Sequence, residues 1–120
     1  MTRDDILKME AGPELNALIS SLVLKQGEYI QHTTKLGTIQ HVIKIPSGDL
    51  VLPDNHSTDI AAAWYVVEKM RTQGRIIMLV FDEEVKVEYL DNKPIPLILA
   101  RADTAPLAIC RAALLATVQS

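Results

Sequence analysis

The sequence predicts an α+β fold, an α-β-α sandwich in which helices pack on a mainly antiparallel sheet. Helical segments and groups of short β-favouring runs follow one another in the order helix, strands, helix, strands, helix. Turn residues separate neighbouring runs closely enough for hairpins. The 120 residues, 48% of them hydrophobic, can fill one core, so residues 1–120 are expected to form a single domain.

Two helices are predicted near the N-terminus. Thr2 and Asp5 form the capping-box pattern at the start of the first helix. Pro13 can open the second helix, because the first helical turn needs no donor from it, and this helix should end near residues 25–27. Its buried face recurs at helical spacing and comprises Leu15, Leu18, Ile19, Leu22 and Val23.

The middle of the chain changes to the periodicity of strands. Residues 39–45 and 50–52 are rich in Ile, Val and Leu, and Pro46-Ser-Gly48 separates the two runs. This pattern predicts a hairpin or meander. Residues 32–35 are expected to form an exposed connection.

A third helix follows the loop at residues 54–57. Ser57 or Thr58 should cap it, and the Asp59 carboxylate favours the positive end of the helix dipole. The helix is predicted to run to about Gln73, with Gly74 following its end. The inward face is predicted to hold Ile60, Ala63, Trp64, Val67 and Met70.

A second hairpin and a last strand are predicted before the terminal helix. Residues 75–81 and 85–90 are apolar or alternating runs, and Asp82-Glu-Glu84 joins them. Residues 91–94 turn the chain, and residues 96–100 form a strand in which Pro96 favours an edge position.

The terminal helix should start sharply, with Thr104 as its cap and Pro106 in its first turn. From residue 107 to residue 118 the only charged side chain is that of Arg111. A helix apolar on nearly every side must be covered on more than one face, by a sheet and another helix or by a second subunit. One protomer of this size can scarcely cover it, so we expect a homo-oligomer.

Arg111 poses the main chemical question of the sequence. A guanidinium is costly to bury in an apolar helix unless an anion or a carboxylate meets it. Arg101, Asp103 and Thr104 lie beside the start of the same helix, where backbone N–H groups can hold a phosphate. The alternative is an internal ion pair between an arginine and Asp103 or another acid, and the sequence leaves both readings open.

Composition and spacing exclude several other functions. The net charge of −3, with mixed signs and no basic stripe, excludes long nucleic acid as an expected partner. No apolar run reaches the roughly eighteen residues that span a bilayer, and no signal-peptide core is present, so we expect a soluble cytoplasmic protein without a membrane partner. The three histidines lack metal-ligand spacing and comprise His32, His41 and His56.

The single cysteine and the aromatic residues are interpreted mainly as packing residues. Cys110 lies in an apolar helix, which raises the pKa of a thiol, so a nucleophile is not expected. Trp64 is assigned to the core. Phe81 ends a predicted strand beside a polar turn, so both a core position and a stacking role stay open for its ring. We therefore expect no catalytic residue, no metal and no cofactor.

Three segments resemble the phage ABA-sandwich domain family. Residues 57–64 (Ser-Thr-Asp-Ile-Ala-Ala-Ala-Trp), with residues 67–70, resemble one signature helix of that family. Residues 102–116 (Ala-Asp-Thr-Ala-Pro-Leu-Ala-Ile-Cys-Arg-Ala-Ala-Leu-Leu-Ala) resemble the other, and the opening Met-Thr-Arg-Asp-Asp-Ile-Leu-Lys-Met-Glu is similar as well. Members are encoded by phages and prophages.

The resemblance implies a function. Some members are similar to phage Thoeris anti-defence sponges, which hold the cyclic ADP-ribose isomer made by a TIR-domain immune protein without cleaving it. Those sponges are homo-oligomers with ligand pockets between protomers, and related sponges capture cyclic oligonucleotides. The resemblance assigns the ligand to Arg111 and the Asp103-Thr104 helix start, with Phe81 as an adenine platform and Asn92 as a polar contact.

Three hypotheses follow from the sequence. The first is a binding protein that sequesters a cyclic nucleotide immune signal. The second is a structural or protein-interaction module of a phage or prophage, in which Arg111 forms an internal ion pair. The third is an enzyme acting on nucleotides, which the missing acid–base pair disfavours.

Overall fold

Two three-stranded antiparallel sheets and four α-helices make up the fold, in a computed structural model that describes residues 1–90 and 98–119. The helices are α1 (Arg3–Lys8), α2 (Pro13–Leu18), α3 (Ile60–Thr72) and α4 (Ala105–Gln119), and a π-helical turn, Ile19–Val23, continues α2. The first sheet has the order β1 (Glu28–Thr33), β2 (Ile39–Lys44), β3 (Leu50–Val51). The second has the order β4 (Ile76–Phe81), β5 (Val85–Leu90), β6 (Ile98–Ala102). The predicted α+β class with antiparallel sheets and packed helices is confirmed.

Helix α4 is the centre of the molecule. It packs on β5 and β6 of the second sheet, and it also contacts α3, α1 and the π-helical turn. Ile109, Cys110 and Leu114 are fully buried within a single chain. The argument that one protomer scarcely covers this helix is therefore wrong. Four buried alanines make the helix narrow, so the neighbouring elements can approach its axis closely. These small residues are Ala108, Ala112, Ala113 and Ala116.

The N-terminal helices begin as predicted. The Thr2 hydroxyl accepts a hydrogen bond from the Asp5 N–H, and the Asp5 carboxylate accepts one from the Thr2 N–H, which completes the capping box. Pro13 opens α2. The prediction is wrong for Leu22, which is exposed, because the Leu24 N–H bonds to the Ile19 carbonyl five residues earlier. This wider π-helical turn changes the phase of the apolar face.

The first sheet contains a strand that the sequence pattern did not reveal. Residues 32–33 belong to β1, whose residues 28–33 pair antiparallel with β2, and the exposed connection is shorter than expected. Strand β1 is mostly polar, so its strand periodicity is weak and pairing with β2 decides its conformation. The predicted turn is confirmed, because the Gly48 N–H bonds to the Ile45 carbonyl and Gly48 has a φ of 92°.

Helix α3 differs from the prediction in both its cap and its buried face. Asp59 is the N-cap, since its carboxylate accepts a hydrogen bond of 3.0 Å from the Ala61 N–H. The buried residues of this helix are Ala63, Val66, Val67 and Met70. Trp64 and Ile60, predicted to face inward, are 49% and 51% exposed. The small Ala63 side chain lies on the buried side of the helix, and the bulky indole lies at the rim.

The last strand continues two residues beyond its predicted end. Strand β6 spans Ile98–Ala102 and lies at an edge of the second sheet, as expected, while residues 96–97 of the predicted strand lie outside the described residues. The predicted turn at residues 91–94, with Asn92, lies outside the described residues. Residues 82–84 connect β4 to β5, which confirms the second hairpin.

Candidate functional site

Arg111 holds two distant parts of the main chain together. Its Nε donates a hydrogen bond of 2.9 Å to the Met9 carbonyl, at the end of α1, and its Nη1 donates one of 2.9 Å to the Arg101 carbonyl in β6. The side chain is half-buried. The described contacts of this guanidinium are therefore with backbone acceptors, which satisfy a partly buried cation without a carboxylate. The sequence left open an ion pair between Arg111 and an acidic residue. Among residues 1–90 and 98–119, the ion pair found joins Arg71 to Glu68.

Arg101 and Phe81 lie on opposite faces of the second sheet. Arg101 pairs across the strands with Lys86, and both alternate with buried residues of the inner face. Phe81 pairs with Val85, which belongs to that inner face, yet the Phe81 ring lies at the end of the sheet and is 70% exposed. The structure therefore does not place the Arg101 and Phe81 side chains on a common surface.

The predicted start of the terminal helix is confirmed. The Thr104 carbonyl accepts a hydrogen bond of 3.1 Å from the Ala108 N–H, and its hydroxyl accepts a longer one of 3.5 Å from the Leu107 N–H. Thr104 thus caps α4, and Asp103 beside it is exposed. Asn92, assigned as a polar ligand contact, lies outside the described residues.

A cleft between α3 and β4 carries a different group of residues. Its volume is about 410 Å³. Trp64 lines it together with Arg71 and Arg75, and Glu68 lies between them along the helix; Val67, Gly74 and Ile77 complete the lining. A tryptophan and two arginines that line one concave surface suit a ligand that has an aromatic ring and an anionic group.

The charges in this cleft, called the Trp64 cleft below, are only partly paired. Arg71 Nη2 lies 3.0 Å from Glu68 Oε2, and both side chains are well exposed, so water screens this pair. Arg75 Nη1 lies 4.0 Å from the Met70 sulfur, a weak acceptor. Most donors of the Arg75 guanidinium thus have no protein acceptor within the part of the chain that the structure describes.

The pattern that could have revealed the Trp64 cleft is the spacing of Trp64, Glu68 and Arg71. These residues recur at intervals of four and three, which places them on one stripe of the helix. A tryptophan on a stripe with charged side chains lies at the boundary between core and solvent. Trp64 was predicted to lie in the core because its side chain is apolar, and this prediction did not take into account Glu68 and Arg71 on the same stripe.

A second group of polar residues is fully buried and structural. Asn16 Oδ1 accepts hydrogen bonds from the Ser57 N–H (2.9 Å) and the Ser57 hydroxyl (2.6 Å), and Ser57 Oγ accepts one from the Gly12 N–H (3.0 Å). These bonds fasten the loop before α3 to the start of α2. Ser57 was predicted as a possible cap, and its burial in this network replaces that role.

The buried pair of Ser20 and His56 belongs to the same region. His56 Nδ1 lies 3.3 Å from the Ala62 carbonyl, which can only accept, so Nδ1 carries the proton. His56 Nε2 then accepts the hydrogen bond of the Ser20 hydroxyl, at 3.1 Å. Both side chains are at most 1% exposed, so the surrounding residues enclose this Ser–His pair. It acts as a polar support of the core.

Cys110 is a core residue, as predicted. Burial raises the pKa of the Cys110 thiol to about 12. Within the described residues, no cluster of three His, Cys, Asp or Glu side chains could hold a metal ion. None of the described helices combines the length and apolar character that crossing a bilayer requires.

Taken together, the fold and its surface define a small α+β sandwich domain with an open cleft beside an interior of tightly packed helices. The family model of the phage ABA sandwich domain matches residues 22–114, and the chain belongs to that family of phage proteins. A crystal structure of a phage protein from Bacillus cereus ATCC 14579 has a similar fold, with a TM-score of 0.63 and 23% sequence identity over 88% of this chain and 90% of that one. No curated protein sequence matches the chain.

Proposed function

We propose that this phage protein captures a cyclic nucleotide immune signal and holds it without cleaving it, in the cytoplasm of the bacterial host. The observation that carries the proposal is the Trp64 cleft, in which a half-exposed indole lies in the same concave surface as Arg71 and Arg75. The indole can stack on a purine, which contributes about 1–3 kcal/mol per base. The guanidinium groups can hold phosphate oxygens.

The resemblance to the Thoeris anti-defence sponges narrows the ligand class to a cyclic ADP-ribose isomer, with cyclic oligonucleotides as further candidates. Capture needs a pocket that binds tightly, and it needs neither nucleophile nor general base. The Trp64 cleft is open in a single chain, so a second protomer over it would enclose the ligand. We therefore propose that the protein is a homo-oligomer. We propose neither a long nucleic acid nor a membrane as a binding partner.

A capture-and-release experiment tests this function. The protein is incubated with a cyclic ADP-ribose isomer, separated from free ligand, heated, and the supernatant is analysed. Release of intact ligand supports the proposal. Release of altered ligand would show an enzyme, and no capture would indicate an interaction module.

Two variants decide which aromatic residue serves the ligand. Trp64→Ala should weaken capture by about 1–3 kcal/mol, the contribution of one stacked base. Phe81→Ala is the matched control, because Phe81 is also exposed and aromatic but lies at the end of the second sheet. If Phe81→Ala weakens capture and Trp64→Ala does not, the base stacks on Phe81, as the resemblance to the family implies.

A second candidate function is assembly through α3. Ile60, Trp64 and Tyr65 expose about half of their side-chain surfaces on this helix. An exposed patch of apolar side chains is typical of a surface that binds another protein. In this alternative Trp64 contacts a second copy of the chain and no nucleotide.

A further inference from the structure

A second cleft adjoins the Trp64 cleft and shares one arginine with it. Its volume is about 230 Å³, and Lys25, Gln73, Arg75 and Thr117 supply its polar lining, with Leu22 and Val23 as the apolar part. Arg75 lines both clefts. We call this the Lys25 cleft. Among the described residues that line it, two carry cationic side chains and none carries an acidic one, in a protein whose net charge is −3.

The backbone of Lys25 is unusual. Its φ is 54°, the left-handed region that favours glycine. The residue follows the π-helical turn, at a position where helices commonly end on glycine. A lysine there is strained compared with glycine, and such strain is concentrated at functional sites. The side chain is exposed, and no described residue forms an ion pair with it.

The favourable interaction of cations with the C-terminal ends of helices explains the positions of Lys25 and Arg75 only in part. Lys25 and Arg75 follow the ends of two helices, whose free carbonyls carry partial negative charge. Main-chain groups already occupy several of these carbonyls. The Ile19 and Ser20 carbonyls accept bonds from Leu24 and Gln26, and the Met70 carbonyl accepts bonds from Gln73 and Arg75. The two cations therefore retain capacity for an external anion.

We infer that the Lys25 cleft is a phosphate subsite, in which Lys25 and Arg75 bind phosphate oxygens of a ligand. Lys25 offers a mobile ammonium group and Arg75 a planar fork of donors, a pairing suited to a compact anion. Since Arg75 also lines the Trp64 cleft, one ligand can stack its base on Trp64 and extend its phosphates past Arg75 towards Lys25. The nucleotide nature of the ligand rests on the proposed function, whereas the phosphate subsite stands on the Lys25 cleft alone.

Binding of inorganic pyrophosphate tests the subsite, measured by calorimetry on the full chain at low and at physiological ionic strength. The wild type should bind pyrophosphate, more weakly at the higher ionic strength. Lys25→Gln and Arg75→Gln should each weaken binding about tenfold or more, as expected for loss of a charge-assisted contact. Lys35→Gln is the matched control, since Lys35 is an exposed lysine in the β1–β2 connection, and it should bind as the wild type does.

Lys25→Gly separates binding from folding. Glycine relieves the strained φ, so the melting temperature should stay the same or rise while pyrophosphate affinity falls about tenfold. A wild type that does not bind pyrophosphate, or a Lys25→Gly variant that binds it normally, would overturn the subsite. In either case, nucleotide capture that depends on Trp64 would leave the proposed function standing. Conversely, pyrophosphate bound through Lys25 and Arg75 without any nucleotide capture would keep the subsite and remove the proposed function.

Discussion

The guanidinium of Arg111 joins α4 to the Met9 carbonyl at the end of α1, 102 residues earlier in the chain. A second bond from the same side chain reaches the Arg101 carbonyl. These two bonds offset the free-energy cost of placing an arginine in an apolar helix. The sequence had predicted a phosphate or a carboxylate as the partner of this arginine. Backbone carbonyls, rather than a phosphate or a carboxylate, meet the cation within the described residues.

Arg111→Ala should lower the free energy of unfolding by about 1.5–3 kcal/mol, the usual contribution of hydrogen bonds to a charged group. Nucleotide capture per folded molecule should be unchanged. Arg71→Ala serves as the stability control, because its ion pair with Glu68 is exposed and should contribute less than about 1 kcal/mol. Denaturant unfolding of both variants and ligand titration of Arg111→Ala provide the measurements. A stable Arg111→Ala protein that no longer captures ligand would restore the binding role assigned by the resemblance.

The buried Asn16–Ser57 network should be essential for stability. Asn16→Ala leaves the Ser57 N–H and hydroxyl without their acceptor in a buried site, which should lower the free energy of unfolding by about 2–4 kcal/mol. Asn55→Ala, in the same loop but exposed, should change it by less than about 0.5 kcal/mol. Equal stability of the two variants in urea would show that the network is not needed to hold the loop.

Cys110 should make stability depend on pH in the alkaline range. Burial raises the pKa of its thiol from the ordinary 9.0 to about 12. Between these values the unfolded chain loses the proton and the folded chain keeps it, so stability is fully present below pH 9 and falls as the pH rises towards 12.

The matched comparison is Cys110→Ala, because tyrosines and lysines also titrate in this range. The difference in unfolding free energy between wild type and variant should shrink steadily as the pH rises above 9.0. In the folded wild type the thiol should react with a thiol reagent only as fast as the protein opens. Rapid labelling at pH 8 would contradict its assignment to the core.

Assembly through α3 would be sensitive to one exposed side chain. Tyr65 is 57% exposed on this helix and lines neither the Trp64 cleft nor the Lys25 cleft. If a second copy covers this surface, Tyr65→Glu should convert the oligomer to a monomer, because it places a charge in the apolar contact. Light scattering at micromolar concentration measures the mass. A wild type that is already a monomer would remove the oligomer from the proposal.

Local signals in the sequence determined most of the secondary structure. The Thr2–Asp5 capping box, Pro13 at the start of α2 and Gly48 in the β2–β3 turn all act through neighbouring residues, and each is found where the pattern predicts it. The burial of Cys110 follows equally from its apolar surroundings in the sequence. Such features depend on backbone geometry within a few residues, which composition and spacing express directly.

Only the tertiary structure decided which faces and partners these elements have. The orientation of α3, which buries Ala63 and exposes Trp64, depends on how closely its neighbours approach. One of the two acceptors of Arg111, the Met9 carbonyl, lies near the other end of the chain, and no local pattern encodes a contact across that separation. The Lys25 cleft likewise combines residues from the π-helical turn, from the end of α3 and from α4. Contacts between distant segments arise from packing the whole core, so the surfaces on which function depends are fixed only when the chain folds.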